Sequence, residues 1–113
     1  MKRFKRATRV SSLVRQILAD VLSSSARDPR VKHAVITEVS LGDDLRLATI
    51  GFQVVDGDPT EVLDGLNKAK GFLRRELGKR LEMKITPDLR FVYDDSLDAA
   101  AHIDEILNRI KSS

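Results

Sequence analysis

The chain has 113 residues, of which 42% are apolar and 33% charged, and its net charge is +3. This is the size and composition of one folded domain with a modest core, which excludes a disordered chain. Because cysteine is absent and no apolar run reaches the roughly 18 residues of a membrane span, disulfides, cysteine-bound metals and membrane insertion are excluded, and a cytoplasmic location is expected.

The charges of the chain are arranged in alternating blocks. Residues 1–33 carry nine basic and two acidic residues, and residues 67–90 carry eight and three. Residues 34–66 carry one basic and seven acidic residues, and residues 91–113 carry two and five. Such segregation indicates a bipolar surface, one side of which suits a polyanion. Residues 1–19 also have the composition of a mitochondrial transit peptide, but they continue into the first core helix, which favours a structural role.

The first predicted element is an amphipathic helix of about four turns. Its apolar residues recur at helical spacing: Val10, Leu13, Val14, Ile17, Leu18, Val21 and Leu22. The helix should end before Asp28-Pro29, because a residue that precedes proline avoids the helical conformation. Two short β-rich runs follow at residues 34–41 and 45–55, and the turn Gly42-Asp43-Asp44 between them predicts a hairpin. Gly51 within the second strand indicates a bulge or a close contact.

The next predicted element is a helix that is interrupted near its middle. Asp58 can cap its start, and Pro59 suits its first position. The buried face is then given by residues at helical spacing: Val62, Leu63, Leu66, Ala69, Phe72, Leu73, Leu77 and Leu81. Gly71 lies inside this run and costs a helix about 1 kcal/mol relative to alanine. We therefore expect two helices with a break at residues 69–71.

The last predicted elements are a strand within residues 83–93 and a helix over residues 97–111. Pro87 belongs at the start or the edge of the strand, and Ser96 can cap the helix. The order α-β-β-α-break-α-β, with a C-terminal helix, predicts an α+β fold with a three-stranded sheet. Helices should cover one face of the sheet, and one strand pair should be parallel.

Four strings in this order resemble the ribosome-binding factor A family: RATRVSSLVRQILADVL (6–22), ARDPR (26–30), AKGFLRRELGKRL (69–81) and ITPDLRFVYDDS (85–96). The resemblance covers roughly residues 3–96 and implies a KH-like fold of the second type. It implies that a kink at Ala69-Lys70-Gly71 replaces the GxxG loop that clamps phosphate in ordinary KH domains. No two glycines of this chain lie three residues apart, so the clamp itself is absent.

The resemblance divides the chain into a KH-like RNA-binding domain (1–96) and a C-terminal helical extension (97–113). The extension departs from the flexible tail in which many members end. The implied function is that of a ribosome assembly factor that binds 16S rRNA in the free immature 30S subunit and assists late maturation, including processing of the 5′ end of the rRNA. The implied protein is a cytoplasmic monomer that needs no cofactor, metal or membrane, and an assembly GTPase is a further expected partner.

The candidate RNA-binding residues are the cations of the two basic blocks: Arg3, Lys5, Arg6, Arg9, Lys68, Lys70, Arg74, Arg75, Lys79 and Arg80. A kink at Gly71 would allow the backbone to approach RNA closely and would direct the positive end of the second helix outward. Lysine and arginine are also good helix formers, so the second block could be an ordinary solvated face. Its near lack of acidic residues favours phosphate binding, and we expect both blocks to converge on one side of the molecule.

No catalytic motif accompanies these cations, and we expect no enzymatic activity. His33 and His102 lie in no catalytic or metal-binding spacing, and Asp94-Asp95-Ser96 is better explained as a turn and helix cap. Phe52, Phe72 and Phe91 are predicted core residues, so an aromatic platform for bases is not indicated. Two alternatives stay open: a protein–protein interaction module that uses the C-terminal helix and the acidic block 34–66, and a DNA-binding helix pair.

Overall fold

The computed structural model describes the backbone of residues 2–24 and 27–112 and the side chains of residues 6–24, 27–96 and 103–111. The elements are α1 (Lys2–Ser24), a 3₁₀ turn (Pro29–His33), β1 (Ala34–Leu41), β2 (Leu47–Val54), α2 (Pro59–Lys68), α3 (Lys70–Leu81), β3 (Asp88–Tyr93) and α4 (Ser96–Ser112). The predicted α+β architecture and the order of its elements are confirmed, and the 3₁₀ turn is an addition.

The three strands form one mixed sheet in the order β1-β2-β3. β1 and β2 are antiparallel, with Ala34 opposite Val54, whereas β2 and β3 are parallel, with Leu47 opposite Asp88. The parallel pair follows from the connection through α2 and α3, which returns the chain to the same end of the sheet. Pro87 lies immediately before β3, where its missing N–H removes no ladder hydrogen bond.

A β-bulge interrupts the hairpin where Gly51 was predicted to allow one. The register shifts between Ile36 and Glu38, so that Thr37 is the extra residue of β1. A Cβ atom on Gly51 would lie only 3.0 Å from the Thr37 hydroxyl oxygen. Glycine at position 51 thus leaves room for the Thr37 side chain, which the bulge brings against the backbone of β2.

The helices cover one face of the sheet, as predicted. Ala48, Ile50 and Phe52 alternate along β2, are fully buried, and join one hydrophobic cluster with residues of α1, α2 and α3. On the opposite face, Val35 of β1 and Val92 of β3 are 44% and 41% exposed. This alternation is the expected result of a sheet that is packed on one side only.

Five residues expected on buried helix faces lie at the margin of the core instead: Val10, Leu13, Leu63, Ala69 and Phe72. Leu13, predicted on the buried face of α1, is 41% exposed. Phe72 is only partly buried and packs against the cluster from its edge, whereas Phe52 and Phe91 are buried as predicted. An aromatic ring next to the helix break therefore retains an accessible surface.

Two aspartate–proline pairs begin helical segments in the same way. The Asp58 side chain accepts a hydrogen bond from the Thr60 N–H at 2.9 Å at the start of α2. The Asp28 side chain accepts one from the Arg30 N–H, also at 2.9 Å, at the start of the 3₁₀ turn. The same Asp-Pro signal stands in the sequence at both places, although it predicted a helix start only at Asp58-Pro59.

The C-terminal helix α4 leaves the sheet at the end of β3. Apolar side chains of α4 are exposed, with Ile103 at 56% and Leu107 at 49%. Among the described residues, the hydrophobic cluster contains none beyond Tyr93. The radius of gyration is 16.5 Å, compared with about 13 Å for a compact chain of this length, which agrees with a projecting helix.

Candidate nucleic-acid interface

The predicted break separates α2 from α3 at Ala69. Ala69 has φ −85° and ψ −3°, and its N–H donates to the carbonyl of Gly65 at 3.0 Å. The chain therefore turns at Ala69 rather than at Gly71, which lies in the first turn of α3. Gly71 is exposed, and a Cβ atom placed on it would meet no atom within 4 Å. Internal packing does not require glycine at position 71, so the backbone there is open to an outside molecule.

Four of the six candidate cations between residues 68 and 80 have acidic partners. The ion pairs are Lys68–Asp64 at 3.2 Å, Arg74–Asp88 at 3.2 Å, Lys79–Glu76 at 3.2 Å and Arg80–Asp20 at 2.7 Å. The near lack of acidic partners predicted for this block therefore does not hold in the folded chain. Asp64 lies one helical turn before Lys68 on α2, whereas folding brings Asp88 and Asp20 to α3 from β3 and α1.

Within the described side chains, Lys70 and Arg75 remain as the unpaired cations among these six. Among the side chains that the structure describes, neither forms an ion pair, and Arg75 is exposed while Lys70 is partly buried. Both flank Gly71 on α3, and no side chain caps the first turn of that helix. The start of α3 thus combines two available positive charges with the positive end of a helix dipole, an arrangement suited to a phosphate group.

A cleft of about 430 Å³ lies beside the break. Arg27, Asp28, Gly65, Lys68, Ala69, Phe72 and Arg75 line it. Arg27 was not among the predicted site residues, and it too lacks an ion pair within the described part of the chain. Arg27 directly precedes the Asp28-Pro29 helix-start signal, and this is the sequence feature that could have identified it. A capped turn at Asp28 fixes the chain beside α2.

An ion cluster fixes the 3₁₀ turn beside this cleft. The Arg30 guanidinium donates from Nη2 to Asp28 Oδ2 at 2.7 Å and from Nη1 to Asp64 Oδ2 at 3.0 Å. The hydrogen bonds from Arg30 lower the pKa of both carboxyl groups below the ordinary 3.8, and the bond to Asp28 is the main reason that the pKa of Arg30 is raised. Because both carboxylates already engage it, Arg30 is not available for a phosphate.

The N-terminal cations lie along α1 and only partly meet the basic helix. Arg9 precedes Asp20 by three turns, so it lies on the flank of α1 whose Asp20 pairs with Arg80 of α3, about 16 Å further along the axis. Arg6 is on the same flank and about 21 Å away. Arg15 is rotated by about 140° from Asp20 and lines a groove against β1. Arg6 and Arg9 thus lie on the side of α1 that carries Asp20 and faces α3, but they do not reach the cleft.

Some predicted residues lie outside the described side chains. These are Arg3 and Lys5 of the candidate site, together with His102. Within the described residues, no group of three or more His, Asp or Glu residues could hold a metal ion. No described helix has the length and apolar character that a bilayer span requires.

Comparison with known proteins identifies relatives over almost the whole chain. The family model for ribosome-binding factor A matches residues 6–107. A ribosome-binding factor A of Syntrophus aciditrophicus is 46% identical over 112 residues, which span 97% of this chain and 91% of that protein. The family match extends past residue 96 and includes most of α4.

Solved structures agree with the fold. The crystal structure of ribosome-binding factor A from Thermus thermophilus has a TM-score of 0.71 and 21% identity, and the match covers 77% of this chain and 93% of that chain. A homology model of the Thermus thermophilus factor, fitted into a cryo-EM map of a 30S complex, has a TM-score of 0.63 and 21% identity, with coverage of 75% and 91%. At this identity the likeness establishes a common fold.

Proposed function

This chain belongs to the ribosome-binding factor A family, and from that premise we propose that it is a ribosome assembly factor that binds 16S rRNA in the free immature 30S subunit. It assists late maturation of the subunit, including processing of the 5′ end of the rRNA. The protein works as a cytoplasmic monomer without enzymatic activity, cofactor or metal, and an assembly GTPase is its further partner. Residues 1–96 form the KH-like RNA-binding domain, and residues 97–113 form a helical extension.

The observation that carries this proposal is made at the start of α3, where available cationic side chains lie beside an exposed backbone. Lys70 and Arg75 are unpaired among the described residues, Gly71 is exposed, and no side chain caps the helix. Phosphate binds where donors and positive charge meet a backbone that can be approached closely. The Thermus thermophilus factor fitted into a 30S complex supports the same class of target.

Binding through this surface would depend on charge and on the shape of the RNA. Lys68, Arg74, Lys79 and Arg80 have acidic partners, but they are 38–71% exposed, so they still add to the positive potential around the break. Arg6 and Arg9 extend the cationic flank along α1. The protein would then contact RNA along a strip that runs from the kink toward α1, and its affinity would depend on the phosphate backbone more than on base edges.

The test is cosedimentation with isolated 30S subunits on sucrose gradients. We expect the wild-type protein to comigrate with free 30S subunits and the double variant Lys70→Glu/Arg75→Glu to remain at the top of the gradient. These two residues are chosen because Arg74 and Arg80 also join α3 to Asp88 and Asp20, so that their reversal would disturb the fold.

The matched control is Arg46→Glu/Arg90→Glu. Both arginines are exposed, and Arg90 alternates with the buried Leu89 and Phe91, so it lies on the sheet face opposite the helices. The control changes net charge by the same amount and should still comigrate. Equal loss in both double variants would mean that binding depends only on net charge, and retention of the Lys70/Arg75 variant would exclude the kink as the binding surface.

A further inference from the structure

We propose that the cleft beside the break between α2 and α3 binds a single unpaired nucleotide of the RNA. Its base lies against the ring of Phe72, and its phosphate lies between Arg27 and Arg75. This inference rests on the proposed function and adds a specific contact to it, since a surface that reads only backbone and shape needs no site for a base.

The dimensions and the lining of the cleft suit a nucleotide. Its volume of about 430 Å³ falls within the roughly 300–1,000 Å³ that is usual for small-ligand sites. Ala69 and Phe72 give it an apolar wall, and Phe72 is only partly buried although its neighbour Leu73 is fully enclosed in the core. The apolar wall suits the flat base of a nucleotide, and the cations around it suit the charged phosphate.

The cations of the cleft have few internal partners. Arg27 and Arg75 form no ion pair among the described residues, and the Lys68–Asp64 pair is exposed on both sides, at 69% and 51%. Asp28 is the acidic residue in the lining, but the Arg30 hydrogen bonds satisfy its charge. The net charge presented to a bound phosphate is therefore positive, which is the complement of a nucleotide and not of an apolar peptide.

The walls of the cleft are held in place before any ligand binds. Arg30 connects the 3₁₀ turn to Asp64 on α2. Gly65 allows the turn to approach closely, because a Cβ atom there would lie 3.3 Å from both Asp28 Oδ2 and Val31 Cγ1. A preformed site loses little conformational entropy on binding. Unpaired bases from loops and bulges can enter such a site, whereas a base inside a helix cannot reach it.

The experiment measures binding of a uridine pentanucleotide whose central base is replaced by 2-aminopurine, which loses fluorescence when it stacks on an aromatic ring. We expect wild type and Phe72→Tyr to bind and quench alike. Phe72→Leu keeps an apolar side chain but removes the ring, and we expect it to bind roughly 5- to 150-fold more weakly, the range for one base–aromatic stack. Thermal unfolding monitored by circular dichroism checks that the variants are folded.

A second RNA makes the result independent of any loss of stability. The same pentanucleotide with an abasic central residue should bind the wild-type protein more weakly by a similar factor, while Phe72→Leu should bind both RNAs equally. If the losses of affinity from removing the ring and from removing the base simply add, the inference is overturned. Equal affinity of wild type and Phe72→Leu for the intact RNA would also overturn it.

The outcome also separates this inference from the proposed function. If the wild-type protein comigrates with 30S subunits but removal of the ring and of the base shows no coupling, the nucleotide site is wrong and the assembly role stands. If the wild-type protein does not comigrate with 30S subunits, the proposed function fails whatever the pentanucleotide does.

Discussion

Arg74 and Arg75 are adjacent in the chain and have different electrostatic surroundings. Arg74 pairs with Asp88 and donates to the carbonyl of Thr86 at 3.0 Å, so it joins α3 to the start of β3. Arg75 lines the cleft at the break and has no acidic partner among the described residues. Successive residues of a helix differ by about 100° in direction, which is enough to give one cation a structural contact and leave the next available.

The two glycines of α3 also differ in their surroundings, and this difference leads to a prediction for Gly71. Replacing Gly71 by alanine removes the conformational cost of a glycine in the first turn of α3, and the new Cβ atom meets no atom within 4 Å. We expect Gly71→Ala to raise the free energy of unfolding by up to about 1 kcal/mol and to weaken comigration with 30S subunits, because the methyl group separates the backbone from RNA. Urea unfolding and sucrose gradients measure the two effects.

Gly78→Ala is the control for this prediction. Its Cβ atom would lie 2.7 Å from the Thr86 hydroxyl oxygen, so the variant should lose stability through a steric clash inside the molecule. Comigration of Gly71→Ala at the wild-type level would show that RNA does not approach the backbone at that position.

At the scale of the element, the break and the C-terminal helix have different relations to the core. α2 and α3 both contribute buried residues on either side of Ala69, such as Leu66 and Leu73, so the bend is fixed by packing on both sides. α4 contributes none among its described residues, and Gln53 Nε2 donates to Ser96 Oγ at 3.3 Å where the helix begins. The helices that carry the candidate site are therefore integral to the fold, whereas the described side chains of α4 add nothing to its core.

This difference predicts that the chain remains folded without α4. A protein truncated after Asp95 should unfold cooperatively, with a melting temperature within about 4 °C of the full chain, since a loss of about 1 kcal/mol shifts a domain of this size by roughly 4–8 °C. It should still comigrate with 30S subunits. Differential scanning calorimetry and sucrose gradients test the prediction, and a truncated protein without a cooperative transition would contradict the division at residue 96.

At the scale of the whole molecule, the two faces of the sheet have different roles. One face holds the core and the helices, and the cations of α1 and α3 lie on this side. The opposite face carries exposed apolar residues, including Val35 and Val92. The positive charge at the break is smaller than the sequence suggests, because four of the ten predicted RNA-binding residues are paired with carboxylates within the molecule.

The dependence of binding on salt follows from this reduced charge. If the available cations Arg6, Arg9, Arg27, Lys70 and Arg75 neutralise five phosphates, affinity should fall about 100- to 500-fold between 50 and 200 mM salt. Neutralising Lys70 and Arg75 with glutamine should reduce the slope of log affinity against log salt by about 1.4–1.8. Titrations of labelled rRNA measure both slopes, and a flat dependence in the wild-type protein would exclude phosphate as the main contact.

The sequence by itself determined the elements, the break and the family. Hydrophobic periodicity identified α1 and both halves of the interrupted helix, and strand β1 was predicted at its observed limits, Ala34–Leu41. The interruption was predicted from Gly71, although the structure locates the turn of the chain at Ala69. These features are accessible because helix and strand periods, caps and glycine costs are set by residues near each other in the chain.

Only the tertiary structure decided that Arg74 and Arg80 are engaged by carboxylates and that Arg27 lines the cleft, whereas the Lys68–Asp64 and Lys79–Glu76 pairs are local. Arg80 pairs with Asp20, sixty residues away, and Arg27 lines the same cleft as Phe72 and Arg75. No local pattern predicts such contacts, because they depend on how α1 and the 3₁₀ turn pack against α2 and α3. An ion pair requires its two charges within about 4 Å of each other, and only the packed helices and strands determine which charges come that close.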